Sequence, residues 1–78
     1  MDEKQFIQNF ADQFDETSAD ELTLATRFRD IDEWSSIIAL SVMAMCAEEY
    51  EVILSANEME SAEKIEDVYN IVKSRYNG

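Results

Sequence analysis

The side chains that could do chemistry in this chain are mostly carboxylates, and the groups that usually work with them are missing. The 78 residues include 18 Asp and Glu, six Lys and Arg, one Cys and no His. Without His, the chain lacks Ser-His-Asp and Cys-His nucleophilic catalysis and most kinds of zinc site. Its single Gly is the last residue, so no glycine-rich phosphate-binding loop is present. We therefore expect a protein that is not an enzyme.

The sequence also disfavours metal and disulfide chemistry. The segment Asp30-Ile31-Asp32 starts like a calcium-binding loop, but the glycine and the closing bidentate glutamate do not follow at the required spacing. Cys46 is the single cysteine, so no internal disulfide can form, and its apolar surroundings favour a buried hydrophobic role. We expect no metal site.

The formal net charge of −12 restricts the partners that the surface can attract. Nucleic acid and an anionic membrane surface would be repelled, whereas a basic patch on another protein would be attracted. The alternative is that the carboxylates only keep a small domain soluble. No apolar run reaches the roughly 18 residues needed to span a bilayer, and the acidic, amphipathic start does not resemble a signal peptide. We expect a cytoplasmic monomer that neither binds nucleic acid nor inserts into membranes.

Helical periodicity predicts a single all-α domain over residues 1–78. One apolar stripe predicts a first helix over 3–14, and a nearly all-round apolar pattern predicts a central helix over 36–50. Residues 15–34 form a long connection, which is unusual in a compact domain. Four apolar side chains would pin this connection onto the helices, namely Leu22, Leu24, Phe28 and Ile31.

Capping signals predict two further helices near the end of the chain. Ser55 and Glu58 have the spacing of a capping box and predict a short helix near 56–60. Ser61 is the predicted cap of a last helix over about 62–76. The predicted fold is a small three-to-four-helix bundle, all-α, with a long loop between helices one and two.

Two adjacent serines, Ser35 and Ser36, stand where the central helix should begin. A helix N-terminus has free N–H groups and positive partial charge, so it suits an attached phosphate. A serine at a helix start is, however, usually an N-cap. The pair by itself leaves both roles open.

Four segments around and beyond this pair match one family pattern: LT at 22–23, TRFRDIDEWSSI at 26–37, EEYEV at 48–52 and KIEDVY at 64–69. Over nearly its whole length the chain resembles the acyl carrier proteins, a family of phosphopantetheine-binding domains. Aligned without gaps over 34–50, the serine that the family modifies falls on Ser36. Ser35 stands where the family has Asp, and Ile37 where it has Leu.

The resemblance implies a function, a cofactor and a set of site residues. It implies that a 4′-phosphopantetheine arm on Ser36 holds acyl intermediates as thioesters, with Ser35 left as the helix cap. The implied partners are a phosphopantetheinyl transferase and the acyl-ligase, synthase or acyltransferase enzymes of fatty acid, lipid or secondary-metabolite synthesis, docking through basic patches. The expected docking residues are Asp32, Glu33, Ile37, Ile38 and Glu48. The expected acyl pocket is lined by Cys46, Leu54, Met59, Ala62, Ile65 and Val68.

Two other functions are compatible with the sequence. The first is a carrier-like docking protein that is never pantetheinylated, which the loss of the Asp at Ser35 would allow. The second is a generic acidic helical adaptor with neither an attached arm nor an acyl cavity.

Overall fold

In a computed structural model, which describes residues 1–77, the chain forms four α-helices and no β-strand. The helices are α1 (Glu3–Ala11), α2 (Ser36–Tyr50), α3 (Ala56–Ser61) and α4 (Ile65–Arg75). The α1–α2 connection, residues 12–35, contains two 3₁₀ turns, Ala19–Glu21 and Phe28–Asp30. The predicted small all-α bundle is confirmed for this part of the chain, as is the extent of α2. None of these helices combines the length and the apolar character that crossing a bilayer would require.

α1 is shorter than the helix predicted over 3–14, because the chain tightens after Ala11. The N–H groups of Gln13 and Phe14 donate to the carbonyls of Phe10 and Ala11, three residues back, where a continuing α-helix would bond four residues back. The turn buries the Phe14 side chain next to the Phe10 ring. Burial of Phe14 therefore follows the predicted apolar pattern although the helix itself has ended.

α4 begins at Ile65 and not at 62, and the prediction that Ser61 caps it was wrong, since Ser61 is the last residue of α3. Lys64 occupies the N-cap position. The Asp67 carboxylate reaches back from the first turn and accepts the N–H groups of Glu63 and Lys64 at 3.0 and 2.9 Å. These two bonds hold the pKa of the Asp67 carboxyl below its usual value. A carboxylate inside the helix thus replaces the serine cap.

An aromatic cluster fixes the point at which α2 starts. Phe10 and Phe28 are fully buried. The Trp34 ring centroid lies 4.6 Å from that of Phe28, and the Trp34 ring stacks nearly parallel to Phe10 at 6.3 Å. Because Trp34 directly precedes the two serines, its packing positions them relative to the core.

The α1–α2 connection is bonded to the start of α4 through its main chain. The carbonyls of Leu24 and Thr26 accept the N–H groups of Glu66 and Ile65 at 2.8 and 3.0 Å. A helix cannot satisfy its own first-turn N–H groups, so the connection supplies their partners. The predicted pinning is also confirmed, by burial in the core or packing against it, for Leu22, Leu24, Phe28 and Ile31.

Candidate functional site

The two serines have different roles at the start of α2. Ser35 has an extended backbone, and its Oγ accepts the N–H of Ile38 at 3.3 Å, so Ser35 is the N-cap. The Ser35 carbonyl accepts the N–H of Ala39 at 2.9 Å. Ser36 is the first helical residue and is exposed. The prediction that Ser35 is the cap is confirmed, and capping does not use the Ser36 hydroxyl.

The electrostatic environment of Ser36 favours a negative group on its oxygen. The N–H groups of Ser36 and Ile37 have no partner within the helix, and the dipole of this 15-residue helix places positive partial charge at the same end. The first turn of α2 contains no acidic residue. The closest carboxylates along the chain are those of Asp32 and Glu33, before the helix begins.

Glu33 is engaged within the fold. Its carboxylate accepts the N–H groups of Asp15 and Glu16 at 3.1 Å, and both the N–H and the hydroxyl of Thr17 at 2.7 Å. The Thr17 hydroxyl is the main cause that lowers the pKa of Glu33. These bonds attach the chain after α1 to the segment that leads into Ser36. Glu33 was predicted to be a docking residue, and this structural role was not predicted from the sequence.

An apolar groove opens beside the two serines, between α2 and α3. We call it the Ser36 groove; its volume is about 560 Å³. Its lining is formed by Arg29, Trp34, Ser35, Ser36, Ala39, Leu40, Met43, Ala56, Met59 and Glu60. Aliphatic and aromatic side chains of α2, α3 and Trp34 dominate the walls, whereas Arg29 and Glu60 supply the charged groups. An attachment point at Ser36 would therefore lie next to apolar surface.

The residues predicted to line an acyl pocket are instead packed together in the core. All six are buried, with at most 5% of the side chain exposed: Cys46, Leu54, Met59, Ala62, Ile65 and Val68. Among them, Met59 borders the Ser36 groove and Ala62 borders a second groove between α3 and α4. The α2 side of the Ser36 groove was not predicted from the sequence. The sequence pattern that could have revealed this wall is the helical spacing from Ser36, since Ala39, Leu40 and Met43 follow at i+3, i+4 and i+7 and so lie on the same side of the helix.

Of the predicted docking residues of α2, Ile37 and Glu48 lie on one exposed side of the helix, whereas Ile38 is turned about 100° from Ile37 and packs against the core. Ile37 is 74% exposed, Ile38 is half-buried and Glu48 is exposed. At 100° per residue, Ile37 and Glu48 differ by about 20° around the helix axis, and they lie about 16 Å apart along it. Leu40, which was not predicted, is 65% exposed on the same side. Asp32 is exposed just before the helix.

Cys46 is a buried thiol, as predicted. Its side chain is fully buried, and burial raises its pKa to about 12. Because the thiolate is the nucleophilic form, the folded protein holds Cys46 in an inert state. Within residues 1–77, no three His, Cys, Asp or Glu side chains are grouped in a way that could hold a metal ion.

Comparison with known proteins assigns no family to the chain: no protein-family model matches it, and no curated protein does. A functional proposal therefore depends on the geometry around Ser36 and on the sequence pattern.

Proposed function

We propose that this chain is an acyl carrier protein, which holds acyl intermediates as thioesters on a phosphopantetheine arm attached to Ser36. The observation that carries the proposal is the difference between the two serines. Both serines are exposed and border the apolar groove, but the Ser35 hydroxyl caps α2, whereas capping does not use the Ser36 hydroxyl. The resemblance to the acyl carrier family selects the same serine.

The residues around Ser36 fit a phosphodiester. The first-turn N–H groups of α2 favour negative charge at this position, and no carboxylate of the first turn opposes it. When bound, the arm supplies a terminal thiol that forms the thioester. The chain itself does no bond chemistry. Ser35 fixes the helix end, and Trp34 fixes that end against the core.

The Ser36 groove suits an aliphatic cargo. Its walls include Ala39, Leu40 and Met43 of α2 and Met59 of α3. Burial of an apolar chain is favourable by about 0.8 kcal/mol for each methylene removed from water. The flexible Met43 and Met59 side chains can adapt to a guest chain. A thioester in this groove would be partly sheltered from water.

The exposed side of α2 suits transient docking to enzymes with basic patches. Ile37 and Leu40 form its apolar centre, and Asp32 and Glu48 supply negative charge on either side. α2 contains no Lys or Arg, so no cation of this helix would repel a basic partner. The partners we propose are a phosphopantetheinyl transferase and acyl-ligase, synthase or acyltransferase enzymes of fatty acid, lipid or secondary-metabolite synthesis in the cytoplasm.

One observation favours a second candidate function. Ile37 and Leu40 are exposed in the unmodified protein, so the same side of α2 could serve a docking protein that never receives an arm. In the acyl carrier family an Asp precedes the modified serine, and here that position is Ser35. The two functions differ in one measurable property, the covalent state of Ser36.

Intact mass spectrometry tests the proposal. The purified protein is incubated with coenzyme A and phosphopantetheinyl transferases of several specificities, including one from the source organism. A gain equal to one phosphopantetheine, absent in Ser36→Ala and retained in Ser35→Ala, supports the carrier function. Tandem mass spectrometry of the modified peptide identifies the serine. Modification of Ser35, or no modification by any transferase, would refute the proposal and leave the docking function.

Thiol counting gives an independent readout. Because Cys46 is buried and unreactive, the unmodified folded protein should show no thiol that reacts rapidly with a chromogenic disulfide reagent. The arm would add a single exposed thiol. Folded modified protein should therefore react once, and the same protein in denaturant should react twice.

A further inference from the structure

α3 is the weaker of the two helical walls of the Ser36 groove. It has six residues and buries one side chain, Met59. Isolated helices of this length are unstable in water, so interactions from outside the helix must hold it in place. Three of its residues, Ala56, Met59 and Glu60, line the groove. The position of α3 therefore determines how wide the groove is.

Arg29 holds the C-terminal end of α3. Its guanidinium donates to the carbonyls of Met59 and Glu60 at 2.7 and 2.8 Å, and to the carbonyl of Ala62 at 3.2 and 3.3 Å. These carbonyls lie at the end of α3, where they have no partner within the helix and where a cation is favoured. The guanidinium also lies 5.4 Å from the centroid of the buried Phe28 ring. Arg29 thus joins α3 to the aromatic core.

Arg75 holds the opposite end of α3. Its guanidinium forms a bidentate ion pair with Glu58, and it donates to the Ile53 carbonyl at 3.3 Å. Glu58 also accepts the N–H of Ser55 at 2.9 Å, which completes the capping box of α3. Of the two arginines, Arg29 borders the groove itself.

We infer that Arg29 is a positioning residue that sets the width of the Ser36 groove and so limits the length of the aliphatic chain that the groove can bury. The inference rests on the proposed function for the identity of the cargo. Its physical basis is the set of bonds from one guanidinium to three carbonyls of the α3 end. Without them, α3 keeps its hold on α4 through Arg75, but its end beside the groove is released.

Arg27 provides a matched control, because it lies two residues away and carries the same charge. Its guanidinium pairs with the Glu63 carboxylate at 2.9 Å in an exposed position and makes no bond to α3. Arg27→Gln and Arg29→Gln change the net charge equally. A difference between the two variants would therefore come from the contacts of the Arg29 guanidinium with the α3 carbonyls and the Phe28 ring, and not from charge.

The experiment measures binding of linear primary alcohols, from hexanol to dodecanol, to the unmodified protein. Neutral alcohols avoid repulsion by the negative surface. Trp34 is the only tryptophan and lines the groove, so its emission reports occupancy directly. For the wild-type protein, affinity should rise about four-fold for each added methylene that the groove can bury. Alcohols longer than the groove should gain no further affinity.

The expected result is that in Arg29→Gln the affinity continues to rise to longer alcohols than in wild type, whereas Arg27→Gln keeps the wild-type limit of chain length. Arg29→Lys should lie between them, because a single ammonium cannot span three carbonyls as the planar guanidinium does. If Arg29→Gln does not fold, Arg29→Lys is compared with Arg27→Gln in its place. Identical chain-length limits in the Arg29 and Arg27 variants would overturn the inference, and so would a Trp34 emission that responds to none of the alcohols. Neither result depends on modification of Ser36, which the mass measurement tests separately.

Discussion

Replacing Ser35 with Ala should destabilise the protein, whereas replacing Ser36 with Ala should not. The Ser35 Oγ accepts the Ile38 N–H at 3.3 Å, which is long for a bond of this kind. Losing an N-cap costs about 0.5–2 kcal/mol, and a long, exposed bond belongs in the lower half of that range, near 1 kcal/mol. For a domain of this size, a loss of about 1 kcal/mol lowers the melting temperature by about 4–8 °C.

Ser36→Ala should change the free energy of unfolding by less than about 0.5 kcal/mol, as is usual for exposed positions without a special role. Ser35→Asn should preserve stability because its side chain keeps a capping acceptor, and Ser35→Gly should cost about a few tenths of a kcal/mol. Urea unfolding of the unmodified proteins, followed by far-ultraviolet circular dichroism, measures all four variants. Equal losses for Ser35→Ala and Ser36→Ala, or no loss for Ser35→Ala, would contradict the roles assigned to the two serines.

Four other predictions concern charge and burial. Arg75 is the main cause that lowers the Glu58 pKa from 4.5 to about 2, so the contribution of Glu58 to stability is complete above its unfolded pKa and is lost as the pH falls toward about 2. The stability difference between wild type and Glu58→Gln should therefore shrink across this window in urea unfolding, and parallel curves would contradict the reasoning. The melting temperature should rise between low and physiological salt, because screening relieves the self-repulsion of a −12 surface; a flat trend would mean that the carboxylates are already compensated. Iodoacetamide should label Cys46 in denaturant but not in the folded protein, and rapid labelling of the folded protein would show that the core opens. Glu48→Lys should slow association with a basic partner enzyme and weaken its salt dependence, whereas Asp20→Lys, with the same charge change beside α1, should not; equal effects would mean that docking occurs elsewhere.

The start and end of α2 could be predicted because local signals agree with the tertiary structure there. A serine pair precedes a continuous apolar run, and the run ends in a cluster of acids that belongs in solvent. The start of α4 could not be predicted in the same way. Ser61 has the right residue type for a cap, but Asp67 satisfies the N–H groups of Glu63 and Lys64 from within the helix. The sequence thus offers two possible caps for this helix, and residue type alone does not decide between them.

The candidate site likewise contains features that the sequence predicts and features that it does not predict. The capping role of Ser35 follows from neighbouring residues, so the sequence was sufficient for it, whereas the attachment role of Ser36 stays a prediction. Glu33 receives its hydrogen bonds from residues 15–17, which have no periodic relation to it. The α3 carbonyls bound by Arg29 lie about thirty residues away in the chain, at distances that only the folded structure reveals. Long-range polar bonds leave no pattern in the sequence, whereas apolar burial does.

The bonds from Leu24 and Thr26 to the start of α4 also bear on how the chain reaches this fold. The first-turn N–H groups of Ile65 and Glu66 exchange water for their protein acceptors only when the α1–α2 connection has folded against the start of α4. Closing a loop of this length is an entropic step that precedes the contacts rewarding it. The chain contains no proline, so no slow prolyl isomerisation competes with this closure. We therefore expect the ordering of the connection, and not the formation of the helices, to limit the folding rate.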